Sequence, residues 1–341
     1  MAARVERPTF TVHVADVGTG LGVFVDAPDF ALVYDAGSND DLAIGADNRF
    51  VAYLKTVKPD LRKIDHVILS HPHRDHVELL ADVLATYDVA QVWDSGAVNS
   101  ICGYRRFVQA VADEPNVVYH TGIAGPGTHT IDFGKEVCPH KLPATVEVPH
   151  GPQIVEGVAT RLGQSASMTI LHVDGTVYAG DKFNENSLVT LLDLDDTKVL
   201  LMGDAEAGGR GDPATAPEKD VEGYVLSKYL AQIQNADVLI VGHHGSMSSS
   251  RKPFIDAVHP KVSVISSGPK KYASVVLPDP VIRDELARSS TLLETDLNDA
   301  TCGANAHKIG PTSDERPGGC DNVQITVHGG EVHADYMKLS R

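Results

Sequence analysis

The apolar residues of this chain alternate between short extended runs and stretches with helical spacing. In the first part, apolar runs bounded by Gly, Pro, Asn or Asp predict strands, and apolar residues three or four positions apart predict helices. The predicted strands cover residues 9–14, 22–25, 30–34, 66–69 and 89–93, and the predicted helices cover residues 48–56 and 77–86.

A second series of the same kind follows. Its predicted strands cover residues 167–172, 187–193, 198–202, 238–241 and 261–266, and its predicted helices cover residues 221–234 and 278–287. Strands that alternate with helices indicate the α/β class. We interpret residues 1–341 as one domain with two similar halves, at about 9–120 and 164–337. Residues 121–163 lack sustained periodicity and form the predicted long loop between the halves.

Three histidines and an aspartate follow closely after the apolar run at residues 67–69. Side chains alternate between the faces of a strand, so His71 and His73 point the same way, and the next turn brings Asp75 and His76 to an adjacent position. Imidazole nitrogens and carboxylate oxygens are ligands for Zn, Mn or Fe, and no cysteine pair lies nearby. The segment therefore predicts a metal site, and its clustered ligand-type side chains argue against the alternative of a solvated polar loop.

Charge and hydropathy restrict the partners that we expect. The chain has 29 Lys and Arg against 46 Asp and Glu, a net charge of −17, which disfavours attraction to long nucleic acids. It has no run of about 18 apolar residues, and its first residues lack the apolar core of a signal peptide. We expect a cytoplasmic protein without a membrane segment that acts on a small molecule, in an oligomeric state that the sequence does not indicate.

The residues His71, His73, Asp75 and His76 resemble the metal-binding signature of the metallo-β-lactamase-fold hydrolases. This resemblance covers about residues 10–335 and implies a four-layer αββα sandwich, in which two sheets pack face to face and helices cover the outside. The style of the motifs is similar to the metallo-hydrolase domain of DNA-uptake competence proteins and to choline-phosphate esterases.

Further segments resemble this family in the same order along the chain. The resemblance implies that Asp35, at the end of a strand, supports the metal loop by hydrogen bonds and does not bind metal. It implies that Asp204, which follows Gly203, bridges two metal ions. It also implies that His243 or His244 completes the second metal site. Counting from the preceding strand favours His244 as the ligand and leaves His243 facing the substrate, although the reverse order stays open.

The chain departs from the family before the bridging aspartate. Many members place a third histidine for the first metal there, whereas this chain has Asn184 and Asn186. We expect these amides to lie behind the ligands or to contact substrate. The first metal would then be held by His71, His73 and Asp204, with open positions for water or substrate.

The resemblance implies a metal-dependent hydrolase in which a hydroxide bound between two divalent metal ions attacks the substrate. We expect Zn, with Mn or Fe as the other suitable ions. We assign catalytic roles to Asp75 and to His243, the latter as a donor to the oxyanion or the leaving group. Phosphodiesters or related phosphoesters are the favoured substrates. The alternatives are a carboxylic ester, lactone or β-lactam hydrolase on the same site, a nuclease, and a metal-binding sensor without hydrolytic activity.

The four cysteines form no closely spaced pair, and none lies in the segments that carry the candidate ligands. Cys302 and Cys320 flank a segment rich in Gly and Pro and could close it as a disulfide in an exported protein. In a cytoplasmic protein we expect them to be small buried residues, and we favour this second interpretation.

Overall fold

Two large β-sheets and one short hairpin make up the β-structure of this computed structural model, which describes residues 7–41, 43–135, 138, 142–180, 182–208, 219–272, 274–310 and 318–339. The strands are β1 (Thr9–Val14), β2 (Gly22–Asp26), β3 (Ala31–Ala36), β4 (Lys63–Leu69), β5 (Asp88–Asp94), β6 (Val118–Thr121), β7 (Gly127–Asp132), β8 (Thr145–His150), β9 (Ala159–Arg161), β10 (Ala166–His172), β11 (Val189–Leu194), β12 (Thr197–Leu201), β13 (Val238–Ile240), β14 (Val262–Ile265), β15 (Lys271–Tyr272), β16 (Val275–Val276), β17 (Thr291–Glu294), β18 (Val323–His328) and β19 (Glu331–Tyr336). The helices are α1 (Arg49–Val57), α2 (Arg74–Val77), α3 (Leu80–Thr86), α4 (Cys102–Asp113), α5 (Val221–Ile233), α6 (Lys252–Val258) and α7 (Pro280–Ala287).

The two sheets have different strand orders and mixed strand directions. The first sheet has the order β19-β18-β1-β2-β3-β4-β5-β6-β8-β7, and the second has the order β17-β14-β13-β12-β11-β10-β9. Strands β3 to β6 run parallel in the first sheet, and β12, β13, β14 and β17 run parallel in the second. The carboxyl ends of parallel strands lie at the same edge, so the loops after β4, β12 and β13 start from such edges.

Both faces of the central strands are buried, which produces four layers. Leu32 of β3 and Ile240 of β13 belong to one apolar core between the two sheets. Their neighbours Val33 and Leu239 point away from it, because side chains alternate along a strand. Val33 packs in the core under α1, α3 and α4, and Leu239 packs in the core under α5 and α6. The predicted αββα sandwich is confirmed.

Most of the predicted elements occur, with shifts at their ends, but the structure departs from the prediction in three places. The helix predicted at residues 77–86 is divided into α2 and α3. Residues 121–163, predicted as a loop, contain β7, β8 and β9, of which β7 and β8 extend the first sheet. The end of the predicted second half also returns to the first sheet, where β18 pairs with β1. That the chain is a single domain stays a prediction.

All four cysteines are paired. Cys102 is bonded to Cys138, and Cys302 is bonded to Cys320. The expectation that Cys302 and Cys320 remain separate thiols is therefore wrong. Disulfides persist mainly in oxidising compartments, so this finding weighs against the expected cytoplasmic location. Among the described helices, none has the combination of length and apolar character that crossing a membrane requires.

Two glycines allow the loop after β4 to pack closely against the rest of the first sheet. A Cβ atom on Gly37 would lie 2.2 Å from the backbone nitrogen of His76, and one on Gly20 would lie 2.2 Å from the carbonyl oxygen of Gly37. Backbone hydrogen bonds cross the same contact, with Leu21 N donating to the carbonyl of Asp75 at 2.9 Å. The loop is thus fixed by backbone contacts.

We predict that Gly37→Ala destabilises the protein by about 3 kcal/mol or more, since the added methyl group meets backbone atoms that cannot move independently. The measurement is the free energy of unfolding in urea. Gly125→Ala is the matched control, because a Cβ atom at Gly125 meets nothing within 4 Å. Equal stability of the two variants would contradict the close contact.

A buried histidine predicts a loss of stability in acid. Burial, with a smaller contribution from Lys58, lowers the pKa of His13 from 6.5 to about 4, and its Nδ1 lies 2.9 Å from the hydroxyl oxygen of Tyr53. The folded state therefore disfavours protonated His13, and stability is lost as the pH falls from about 6.5 towards 4. Between pH 7 and pH 5 the wild type should lose about 2 kcal/mol more than His13→Asn, measured by urea unfolding at both values. Parallel losses in the two proteins would show that His13 is not responsible.

Candidate metal centre

Six side chains from both sheets form two groups that face one cleft. Within each group the possible ligand atoms lie within 4.8 Å of one another. The first group is His71, His73 and Asp204, and the second is Asp75, His76 and His244. Four of these side chains follow β4, namely His71, His73, Asp75 and His76. Asp204 follows β12, and His244 follows β13. The structure thus brings together the six side chains that the sequence analysis predicted as metal ligands.

In the second group, hydrogen bonds to Nδ1 set the tautomers of two imidazoles, those of His76 and His244. The Nδ1 atom of His76 lies 2.8 Å from Asp35 Oδ2, and the Nδ1 atom of His244 lies 2.8 Å from the carbonyl oxygen of Ser266. Both oxygens are acceptors, so the hydrogen of each neutral ring is on Nδ1 and Nε2 carries a lone pair. The two Nε2 atoms face each other at 3.2 Å. Two lone pairs at this distance repel, so a cation is required between them, either a metal ion or an additional proton.

The first group is oriented in the same way through a serine. Ser70 Oγ donates to Asp35 Oδ2 at 2.7 Å and therefore accepts from Nδ1 of His71 at 3.0 Å. Nε2 of His71 is left as an acceptor, 3.0 Å from Nδ1 of His73 and 3.6 Å from Oδ2 of Asp204. The possible ligand atoms of His71, His73 and Asp204 all lie within 4.8 Å of one another, a spacing that fits the ligands of one metal ion.

Asp204 faces both groups. Its Oδ2 atom belongs to the first group, while its Oδ1 atom lies 3.1 Å from Nε2 of His76 and 3.6 Å from Nε2 of His244. The preceding Gly203 has a positive φ of 56°, and a Cβ atom there would lie 2.8 Å from Cβ of Ser70. The close approach that brings Asp204 to the loop after β4 therefore requires glycine.

The electrostatics of the buried groups favour bound positive charge. Burial alone would raise the pKa of Asp204, but the imidazoles of His76, His244 and His243 hold it well below its usual range. Burial alone would lower the pKa of His76, but Asp204 and Asp35 raise it well above its ordinary value. Burial lowers the pKa of His71 well below its ordinary value. Deprotonated carboxylates and a neutral imidazole are the forms that bind metal.

His243 is turned away from the second group, although it is adjacent to His244. Its Nδ1 atom lies 3.0 Å from Oε1 of Glu206 and 2.9 Å from Oγ of Ser248. Its Nε2 atom lies 3.4 Å from Nδ2 of Asn184, and this amide nitrogen donates to Oε1 of Glu206 at 2.9 Å. Burial alone would lower the pKa of His243, but Asp204 and Glu206 raise it above its ordinary value. This geometry favours His244 over His243 as the candidate ligand.

Asp75 is held by two side chains that sequence reasoning did not assign to the site. Nδ2 of Asn39 donates to Asp75 Oδ2 at 2.8 Å, and the hydroxyl of Tyr272 donates to the same oxygen. The cleft has a volume of about 320 Å³. Six of its lining residues were not assigned to the site from the sequence: Asn39, Arg74, Asn99, Ile101, Lys270 and Tyr272.

The other three residues that the sequence analysis assigned to the site, Asn184, Asn186 and Asp35, lie in different positions relative to the cleft, and only Asn184 lines it. The Nδ2 atom of Asn186 donates to the carbonyl oxygens of Asp174 and Thr176, at 2.6 and 2.8 Å, and so holds a neighbouring loop. Asp35 lies behind the ligands, fully buried against Ser70 and His76.

Proteins of similar sequence were found in two bacteria. Recombination protein 2 of Haemophilus influenzae is 27% identical over 265 residues, which are 78% of this chain and 25% of that protein. The protein YcaI of Escherichia coli is 39% identical over 89 residues, which are 26% of this chain and 10% of that protein. The chain thus spans at most about a quarter of the length of these relatives.

The fold is also similar to solved structures. YhfI of Bacillus subtilis, a metallo-beta-lactamase fold protein, is 12% identical, with a TM-score of 0.45 over 84% of this chain and 96% of that chain. CmlA of Streptomyces venezuelae, a diiron beta-hydroxylase, is 15% identical, with a TM-score of 0.45 over 86% of this chain and 53% of that chain. The sequence model of the metallo-beta-lactamase superfamily matches residues 15–268, and the chain belongs to that superfamily.

Proposed function

We propose that this chain is a metal-dependent hydrolase that holds two divalent ions and cleaves phosphodiester or related phosphoester bonds. The observation that carries the proposal is the pair of facing Nε2 atoms of His76 and His244, 3.2 Å apart, with Asp204 beside both. One added proton would satisfy this pair alone, whereas a second group of ligand-type side chains, His71 and His73, faces the same Asp204 carboxylate. Two zinc ions fit the nitrogen and oxygen donors, and manganese or iron are the alternatives.

The six candidate ligands would divide between the two ions. His71 and His73 would hold the first, and Asp75, His76 and His244 would hold the second, with Asp204 between them. When bound, the ions would activate a water for attack and polarise an oxygen of the substrate. The absence of a third histidine near Asn184 leaves room at the first position for water or substrate.

His243 would act on the substrate and not on the metal. Glu206 and Ser248 hold its Nδ1 atom, so its Nε2 atom is directed towards the cleft beside Asn184. From there a protonated imidazole would donate to the oxyanion or to the leaving group. Glu206 keeps the ring in one orientation, which is what a proton donor requires.

The lining of the cleft supports a phosphoester in preference to a carboxylic ester, lactone or β-lactam. It contains the cations of Arg74 and Lys270, which can donate several hydrogen bonds each, whereas the amides of Asn39, Asn99 and Asn184 already donate within the protein. A phosphoryl group offers more acceptor oxygens to such donors than a carbonyl group does.

A nuclease is the second candidate because one relative is named Recombination protein 2. The net charge of −17 argues for small substrates over long nucleic acid.

We predict about two divalent ions per chain after gentle purification, and loss of phosphodiester hydrolysis after EDTA treatment that zinc or manganese restores. Asp204→Ala should lower the metal content and reduce turnover below detection, because Asp204 faces both groups. Asp256→Ala is the control, since this carboxylate is exposed on α6. Metal analysis and a panel of nitrophenyl phosphodiesters, carboxyl esters and a β-lactam are the measurements. Faster hydrolysis of the carboxyl esters or the β-lactam would refute phosphoester specificity, and absence of metal would refute the whole proposal.

The adjacent histidines allow a sharper test of the roles. His244→Ala should lower the metal content of the second site. His243→Ala should keep both ions and lose turnover by roughly 10²- to 10⁴-fold, the range for one proton or hydrogen-bond donor. The loss should be smallest on nitrophenyl esters, whose leaving group needs no proton. If only His243→Ala lost metal, His243 would be the ligand and His244 the donor.

A further inference from the structure

Two cationic side chains of the cleft neither hold metal nor move a proton in the proposed hydrolysis. Arg74 is partly buried and Lys270 is exposed, and both line the cleft. Lys270 forms no ion pair with any carboxylate in the described part of the chain. Nε of Arg74 lies 3.7 Å from Oε2 of Glu78, a distance typical of a weak surface pair. In a chain with a net charge of −17, these two cations balance the two carboxylates of the cleft, Asp75 and Asp204, which are candidate metal ligands.

These cations lie on the two segments that contain or contact Asp75, whereas the proposed proton donor lies beside Asp204. Arg74 directly precedes Asp75, and Tyr272, two residues after Lys270, donates to the Asp75 carboxylate. In contrast, the backbone nitrogen of His243 donates to the carbonyl of Gly203, next to Asp204, at 3.0 Å. A substrate with its leaving group at His243 would therefore extend its retained part towards Arg74 and Lys270.

The position of Lys270 is fixed by a buried threonine. Oγ1 of Thr19 accepts from the backbone nitrogen of Lys270 at 3.0 Å, and the carbonyl oxygen of Thr19 accepts from the backbone nitrogen of Asn39 at 2.7 Å. Thr19 is 1% exposed, and its own backbone nitrogen donates to Asp40 at 2.7 Å. The same residue thus holds Lys270 beside Asn39, which contacts Asp75. The backbone of Lys270 is therefore held in place, and its exposed side chain is the part that can reach a ligand.

We propose that Arg74 and Lys270 bind a second phosphate group, carried by the part of the substrate that is retained when the leaving group departs. This inference rests on the proposed phosphoesterase function. Guanidinium and ammonium groups both bind phosphate oxygens, the guanidinium through paired hydrogen bonds. The cleft volume of about 320 Å³ is at the small end for ligand sites, which fits a small bisphosphorylated molecule.

The test compares two product-like ligands that differ only in the second phosphate. Zinc-loaded protein is titrated calorimetrically with adenosine 5′-monophosphate and with adenosine 3′,5′-bisphosphate. The wild type should bind the bisphosphate roughly tenfold more tightly, the low end for hydrogen bonds to charged groups because Lys270 is exposed to salt. Lys270→Met should remove most of this preference. Lys271→Met, which makes the same change of charge at the next residue outside the cleft, should retain it.

Equal affinities of the wild type for the two ligands would overturn the inference, and so would equal loss of the preference in Lys270→Met and Lys271→Met. Because the readout is binding, it separates this inference from the proposed function. A preference for the bisphosphate in a protein that hydrolyses no phosphodiester would support the anion site and refute the function. Hydrolysis without any preference would refute the anion site alone.

Discussion

The hydrogen bonds of the buried Asp35 carboxylate determine how the candidate ligands are presented. Asp35 accepts from the backbone nitrogen of Ser70 at 2.6 Å, from Ser70 Oγ at 2.7 Å and from Nδ1 of His76 at 2.8 Å. Through His76 it sets the tautomer in the second group, and through Ser70 it sets that of His71 in the first. A ring without such a partner could place its hydrogen on either nitrogen. One carboxylate thus directs lone pairs into both halves of the centre.

The centre also depends on contacts between the two sheets, because Asp204 and His244 come from the second sheet. The hydroxyl of Tyr34 donates to the carbonyl of Leu188 at 2.9 Å, and the backbone nitrogen of Leu188 donates to the carbonyl of Ser70 at 2.9 Å. Both bonds cross from the first sheet to the second beside the loop after β4. They set the distance between the ligand groups, whereas the apolar core sets only the spacing of the layers.

The sequence predicted the parts of the molecule whose signal is local. The candidate ligands after β4 fall within one short segment, and the central strands are apolar runs of the expected length. Strand β8 was not predicted, although Val146 and Val148 alternate with exposed residues, because Gly and Pro nearby obscured the pattern. Asn39 and Tyr272 could not have been assigned, since their contacts with Asp75 join positions far apart in sequence and depend on the fold.

The roles proposed for His243 and His244 differ because of backbone conformation, since their side chains are identical. Their φ angles are 50° and 51°, in the left-handed region that costs a non-glycine residue roughly 1–3 kcal/mol. Two such residues in succession turn the chain so sharply that one ring meets Glu206 and the other meets His76. The hydrogen bonds to Glu206, Ser248 and Ser266 offset this strain. A right-handed backbone here would relieve the strain and lose the division between the proposed ligand His244 and the proposed proton donor His243, so the strain is expected to belong to the proposed function.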